Sequence, residues 1–433
     1  MTHTVSLEEI PYSPDSCEVF ECLRDMPGAV LLDSSFPHAS AGRFDILCAQ
    51  PLAAPAAPSA NDPQQRWLSY FGELARFHRE HYGLAKPASP DIPFCGGLIG
   101  VLGYDAGNPV NRVTAALPTT RHSGANLHAY DWAVVQDHLR QRAVLVAQPG
   151  VSAARRNELL ARLRDRRSTR NTGFLLRGAF RSNLDEAAYR NAFERIQHYI
   201  QAGDCYQVNL AQRFTAPYEG DPWHAYRELR QVAAAPFSAY LTLGNDEAVM
   251  CLSPERFLTL HGHHVQTAPI KGTRPRHRDP AADRLAAAEL YRSEKDRAEN
   301  VMIVDLLRND FGRSCTPGSI HVDALFEVQS FPTVHHLVST ISGELAPGRT
   351  AYDLLRDSFP GGSITGAPKR RAMEIVAELE PHAREVYCGS VFYISADGRM
   401  DSNIAIRTLL CSDGEVRCWG GGGIVADSQW RQE

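Results

Sequence analysis

Two Asp-Gly pairs near the end of the chain constrain its fold more than any other feature. Asp397-Gly398 and Asp413-Gly414 each separate runs in which apolar and polar residues alternate. Such pairs suit the left-handed backbone of tight hairpin turns. The runs "VYCGSVFYI", "SNIAIRTLL" and "VRCWGGGGIV" therefore read as consecutive antiparallel strands. Centring the first hairpin on Asp397 sets Tyr387 opposite Arg407. Centring the second near Asp413 or Gly414 sets Arg407 beside Trp419 or Gly420. Three adjacent strands would then gather a phenol, a guanidinium and the bare backbone N–H groups of residues 420–423, donors that suit a carboxylate. A slip of one residue would turn a side chain to the opposite face. The bland alternative is a surface arginine beside a glycine-rich bend.

Composition sets the outer bounds. A chain of 433 residues is long for one domain, so it holds two domains or one large unit with an intimate core. Its 43% hydrophobic and 22% charged residues are ordinary for a globular protein. A net charge of −5 gives no reason to expect a nucleic-acid partner. No apolar run reaches membrane-spanning length, and "MTHTVSLEEIPY" lacks the marks of a signal peptide, so a cytoplasmic location is expected. Ten scattered cysteines without a CxxC pair suggest reduced thiols.

Residues 1–175 read as short strands and loops with a helix over "QQRWLSYFGELARFHREHY" and another over "AARRNELLARLRDRR". "FCGGLIGVLGYDAG" reads as a buried strand passing close to other backbone. "STRNTGFLLRGAF" has the polarity of a connector, which places a boundary near 175. Residues 176–433 are more regular. "LDEAAYRNAFERIQHYIQAGD" is an amphipathic helix, "CYQVNLAQRF" a strand with Val208 and Leu210 on one face and Gln207 and Asn209 on the other. "DRLAAAELYRSEKDRAENVMIVDLLRND" reads as one long helix.

Chemistry enters through a scarcity. Of 45 lysines and arginines only four are lysines: Lys86, Lys271, Lys295 and Lys369. A chain that uses arginine almost everywhere keeps an amine at Lys271, in "QTAPIKGTRPR". An amine can lose its proton and attack, whereas a guanidinium stays charged. Glu255, in "CLSPERF", lies ahead of that strand, and pairing of "RFLTL" with "VQTAPI" would bring the two to one end as an acid and a nucleophile, or as a plain ion pair. Glu299 shares a helix face with Met302, Ile303 and Leu306, and an inward carboxylate needs a cation or a proton. Magnesium fits, and so does a buried arginine. "FPGGSITGAPKRR" offers a glycine-rich loop entering a helix, with Ser363 and Thr365 as hydroxyl donors.

The series "CYQVNL", "SPERF", "PIKGT", "ENVMIVDLLRND", "HHLVS", "FPGGSITGAPK", "VYCGSV", "NIAIRT" and "GGGIVADS" resembles the chorismate-utilising enzymes over about residues 180–433. These include component I of anthranilate synthase and of aminodeoxychorismate synthase, and the isochorismate and salicylate synthases. "LLDSSFPHASAGRFDILCAQP" (31–51) resembles the N-terminal half of the amination branch. The resemblance implies an α+β fold of two large, packed, mainly antiparallel sheets wrapped by helices, with the two halves of the chain interleaved. It implies that Tyr387, Arg407, Gly421 and Gly423 bind the carboxylate of chorismate, that Ser363 and His336 line the ring, that Glu299 holds Mg2+, and that Glu255 protonates the departing C4 hydroxyl. Where the water-adding branch carries a lysine, this chain has Gln207, which disfavours attack by water. Where anthranilate synthases carry alanine, it has Lys271.

In the aminodeoxychorismate branch that lysine attacks C2, and ammonia from a glutamine amidotransferase subunit then takes C4, giving 4-amino-4-deoxychorismate for p-aminobenzoate and folate synthesis. Anthranilate synthase component I is the nearest alternative, and a catalytically impaired tryptophan- or partner-binding homologue is another. The resemblance places a tryptophan pocket at Ser34, Arg43, Phe44 and Asp45. It also implies a helix after "GGGIVADS" with two metal carboxylates. Glu433 stands at the first of these, and the second is expected in a longer chain.

Overall fold

The computed structural model describes residues 4–39, 42–83, 89–114, 120–165, 173–244 and 247–433. Residues 166–172, which hold much of the expected connector, and residues 40–41 of the "LLDSS" region lie outside the described residues. Two sheets dominate, and every pairing of named strands in them is antiparallel. The larger has 13 strands among the described residues and the smaller nine. Both mix strands from before and after residue 175. In the larger, Val30–Asp33 pairs with Phe237–Gly244. In the smaller, Gly97–Leu102 pairs with Ser390–Ser395.

The strand Gly97–Leu102 is buried along its whole length, and its glycines are required by contact. A Cβ on Gly100 would lie 2.0 Å from the Asn126 carbonyl, and one on Gly97 would lie 2.1 Å from that of Ile394. The main core lies where the sheets face each other and includes Ile46, Leu98, Leu210, Val249, Leu258 and Ile404. Each such side chain taken from water contributes roughly 1.5–3 kcal/mol. A second cluster, with Phe20, Trp223, Tyr226, Tyr240 and Met250, lies under the helix Pro222–Ala233. The helix Gln64–Tyr82 buries Trp67, Tyr70, Phe71, Leu74 and His78, the three-to-four spacing that one apolar face requires.

The hairpin registers follow the Asp-Gly turns. Phe392 faces Ser402 and Ile394 faces Met400, as centring on Asp397 requires, and Leu409 faces Cys418. The three-stranded meander itself does not form. "SNIAIRTLL" splits into Met400–Asn403, in the smaller sheet, and Thr408–Ser412, in the larger. The segment between them crosses from one sheet to the other, and Arg407 sits in it at φ 51°. "VQTAPI" is also broken: His264–Thr267 pairs with residues 341–344 and Ile270–Pro275 with residues 334–338 of Val334–Glu344, end to end along one edge, while His321–Ser330 takes the other. The long helix is two, Pro280–Arg292 and Glu294–Phe311. Ser293 divides them, and its hydroxyl accepts from the Asp296 N–H as an N-cap. In Gln207–Gly220 the expected polar face is also covered: Gln207 and Asn209 are as buried as Val208 and Leu210.

Candidate active site

Two crossings between the sheets run side by side. One is Pro254–Glu255, which links Glu247–Ser253 of the larger sheet to Arg256–His261 of the smaller. The other is residues 404–407. The Ile404 N–H donates to the Glu255 carbonyl at 3.0 Å, and the Leu252 N–H donates to that of Arg407 at 3.1 Å. The Ser253 hydroxyl donates to the Ile404 carbonyl at 2.6 Å. Backbone bonding thus pairs Glu255 with Ile404 and Leu252 with Arg407, which fixes the spacing between Glu255 and Arg407 at the two ends of one short paired stretch.

Lys271 reaches this point from a bulge in Ile270–Pro275, between the pairs Ile270–Val338 and Thr273–His336. Gly272 supplies the positive φ of 84° that the bulge needs. The Lys271 Nζ donates to the Ser363 carbonyl at 2.8 Å. The Glu255 carboxyl is buried. Burial pushes its pKa up, while the Lys271 charge and hydrogen bonds from the Ser363 side chain and the Ile270 backbone pull it down. Lys271, Glu255 and Ser363 therefore form one contact set. The hairpin argument for Glu255 and Lys271 gave the right neighbours for an incomplete reason. The sheet crossings supply the rest.

His336 lies across the bulge. Its Nδ1 is 2.9 Å from the Thr273 hydroxyl. Burial, then the Arg407 charge, pushes its pKa down to about 4, so the ring is neutral at pH 7 and lies near Arg407. Tyr387 stacks on Trp419, with ring centroids 5.9 Å apart and planes 3° from parallel. Gly421 and Gly423 pair with Ala211 and Asn209. At Gly421 a Cβ would strike the Leu210 carbonyl at 2.5 Å, and at Gly423 it would meet the Gln207 Nε2 at 1.9 Å. Gln207 lies directly over Gly423, and its buried Oε1 has no hydrogen-bond partner among the described residues. Thr365 does not face this set. It is fully buried, and its hydroxyl donates to the Gly361 and Gly362 carbonyls at 3.2 Å, bracing the loop.

Glu299 is half-buried. Burial raises its pKa, Asp296 and Glu433 raise it further, and Lys271 and Lys295 lower it. The Glu433 carboxylate accepts from the Ser428 hydroxyl at 2.6 Å and lies 3.8 Å from the Lys295 Nζ. Two carboxylates thus oppose each other's charge beside Lys271. Asp296, one turn from Glu299, is engaged with Arg274 at 3.2 Å. Among the described residues no group of three or more metal-ligating side chains forms. Two all-oxygen ligands still suit magnesium, which binds through one or two carboxylates plus an anionic ligand.

The N-terminal motif falls elsewhere, beside a cavity of about 440 Å3 lined by Ser34, Arg43, Phe44, Phe237 and Tyr393 among others. The Arg43 guanidinium stacks 4.4 Å over the Phe44 ring, and the buried Ser34 hydroxyl has no hydrogen-bond partner among the described residues. Asp45 does not line the cavity. It is fully buried and accepts from the Ser34 N–H at 2.7 Å, from Ser16, and from His138 at 2.8 Å, so its role is to hold the motif's backbone.

Sequence reading missed the ion pairs that brace the glycine loop. Arg384 donates to both Glu380 oxygens, to the Ile364 carbonyl at 3.0 Å and to the Asn209 carbonyl. Lys369 donates to Asp310 at 2.6 Å and to the Ser358 carbonyl at 2.8 Å. Lys369 is the first residue of Lys369–Leu379, so the pair ties the start of that helix to Glu294–Phe311. Its rarity as a lysine was the available signal.

A family model described as chorismate binding enzyme matches residues 31–433. Aminodeoxychorismate synthase component 1 of Klebsiella aerogenes is 45% identical, covering 97% of this chain and 94% of its own. The protein of that description from Escherichia coli (strain K12) is 43% identical over 96% and 92%. Among solved structures, anthranilate synthase component I from Streptococcus pneumoniae TIGR4 superposes with a TM-score of 0.76 at 29% identity, over 91% of this chain and 90% of that one. No described helix is long and apolar enough to cross a membrane. With motifs, paired sheets and sequence identity all agreeing, the chain belongs to the chorismate-binding enzymes.

Proposed function

We propose that this chain aminates chorismate at C4, giving 4-amino-4-deoxychorismate. The observation that carries the reading is Lys271, held at Ser363 and set against the buried acid Glu255. The identity of its relatives supports the same branch. In this reading the Lys271 amine attacks C2. The ring double bonds shift, the C4–O bond breaks, and Glu255 gives its proton to the departing hydroxyl, which leaves as water. Ammonia then attacks C4, the double bonds shift back, and the Lys271 amine leaves C2. The balance is chorismate plus ammonia to product plus water.

The remaining residues bind and orient. Arg407, Tyr387 and the N–H groups at Gly421 and Gly423 suit the ring carboxylate, and neutral His336 and Ser363 suit the ring edge. Glu299 and Glu433 would hold Mg2+, which would offset the substrate's negative charge. Gln207 lacks the basicity to activate water, which leaves the amine as nucleophile. The relatives are each component 1 of a synthase, which supports a second component as the source of ammonia, a glutamine amidotransferase. The cavity at Ser34, Arg43 and Phe44 suits an aromatic amino acid such as tryptophan, with the unpartnered Ser34 hydroxyl as a polar contact.

Product identification tests the reading. The chain with chorismate, magnesium and ammonium salt should give 4-amino-4-deoxychorismate by mass spectrometry. Anthranilate with released pyruvate would replace this assignment with the C2-aminating alternative.

A further inference from the structure

A second cavity, of about 390 Å3, lies between residues 60–64, residues 104–114 and the helix Lys369–Leu379. Its mouth is exposed at Pro63, Arg112 and Thr114, and its deep end is buried at Tyr104, Asn108, Glu380 and Arg384. The Arg384–Glu380 pair closes that end, so the cavity is a blind pocket of a size that holds a small molecule. Two polar atoms there are unsatisfied. The Tyr104 hydroxyl and the Asn108 Oδ1 are buried without hydrogen-bond partners among the described residues, at 2% and 8% residue exposure. Buried polar groups are paired in most folded proteins, so two orphans lining one cavity point to a ligand that bonds them.

The lining sets the ligand's chemistry from the inside outward. The Asn108 Oδ1 only accepts and the Tyr104 oxygen can accept, so the inner group of the ligand is an N–H donor. A full positive charge at that depth would need a free carboxylate. The two there are taken. Asp105 accepts from the Glu385 N–H at 2.9 Å, and Glu380 accepts from Arg384 and from the Ala211 N–H at 2.9 Å. The donor is therefore a neutral amine. Val113, Met373, Val376 and Ala377 give apolar walls, which suit an aromatic body. At the mouth, Asp62 accepts from the Ser59 N–H at 2.9 Å. Arg112 donates to the Gln64 Oε1 at 3.2 Å and makes no ion pair among the described residues, so its guanidinium is open to a carboxylate. We propose that this pocket binds a small aromatic carboxylate bearing a neutral amino group, amine inward and carboxylate at Arg112. The Tyr104 ring lies 4.5 Å from the Arg384 guanidinium, and Arg384 donates to the Ile364 carbonyl beside Ser363. The occupant thus sits two contacts from the loop that holds Lys271, outside the chemistry described for that loop. The site stands whether or not the amination reading does.

The test is calorimetry on the full chain with p-aminobenzoate as the probe, a rigid ring with the two groups at opposite ends. One equivalent should bind, and saturating chorismate should not displace it. Benzoate, which lacks the N–H donor, and aniline, which lacks the carboxylate, should each bind at least tenfold more weakly. Tyr104→Phe and Arg112→Ala should each weaken p-aminobenzoate binding tenfold or more. The hydroxyl removed by Tyr104→Phe bonds nothing in the free chain, so the melting temperature without ligand should hold or rise. Loss of binding in that variant is then separable from loss of the fold. If Tyr104→Phe does not fold, Asn108→Ala takes its place with the same tenfold expectation. Wild type that does not bind the probe, full affinity in either variant, benzoate or aniline binding as tightly, or displacement by chorismate would each overturn the site.

Discussion

Replacing Lys369 with methionine isolates one buried charge. The Lys369 Nζ bonds Asp310 at 2.6 Å and the Ser358 carbonyl at 2.8 Å, and the two side chains are 6% and 1% exposed. The Asp310 Oδ1 already lacks a partner, so the substitution leaves a carboxylate with neither oxygen satisfied. Burial already raises the Asp310 pKa against the pull of Lys369. Removing one partner of such a pair costs about 3–5 kcal/mol, whereas replacing both with apolar groups is often near neutral. Lys369→Met should therefore lower stability by about that amount in urea unfolding. Lys369→Met combined with Asp310→Leu should recover most of it, giving a coupling energy of ~2 kcal/mol or more in a double-mutant cycle. The pair also fastens the helix of Glu299 to the loop of Ser363, so kcat with ammonium should fall in the single variant more than KM rises. A single variant costing under ~1 kcal/mol, or a double variant no better than the single, would refute the argument that the pair is a desolvated charge clamp.

Further outcomes follow from the site. Lys271→Arg should be no more active than Lys271→Ala, since a guanidinium cannot attack; wild type with chorismate and no ammonia should gain the mass of chorismate less water on the Lys271 peptide, and near-normal turnover by Lys271→Arg would exclude the covalent step. Arg407→Ala should weaken chorismate binding by ~2–5 kcal/mol, measured by calorimetry; unchanged affinity with a collapsed melting temperature would make the residue structural. Burial raises the Glu255 pKa, so its proton favours the folded state at low pH and that contribution is lost as pH rises through the folded pKa. Glu255→Gln should hence flatten the decline of melting temperature as pH rises from the ordinary carboxylate range through the raised folded pKa, while cutting kcat ~100-fold or more; an unchanged pH slope there would remove Glu255 as its cause. Gln207→Lys should yield some hydroxylated product by mass spectrometry, and its absence in a folded variant counts against Gln207 facing the reacting ring.

Local signals carried much of the fold. The Asp-Gly turns gave the register of both C-terminal hairpins because a turn of two or three residues, at 413–414 and 396–398, fixes which residues face each other. The helix Glu186–Gln201 was legible from its apolar period. What failed was set by tertiary context rather than by local pattern. Nothing in "SNIAIRTLL" marks the point where a strand leaves one sheet for the other, because both environments are apolar. The break at Ser293 was hidden because helical periodicity continues on either side of a good cap. Tertiary burial of Gln207 and Asn209 overrode an alternation that is polar on paper. Candidate site residues stood out by type at Lys271, Glu255 and Glu299, where an unusual group stands in its stretch of sequence. Arg384 was not, since it is one arginine among many until its carbonyl partners are seen.

The two crossings that carry Glu255 and Arg407 are tied by main-chain bonds, and a main chain is indifferent to the side chains it bears. The spacing between the acid and the carboxylate holder is thus set before any catalytic group is chosen. Side chains at positions such as 207, 271 and 363 can be exchanged one at a time while that spacing stands.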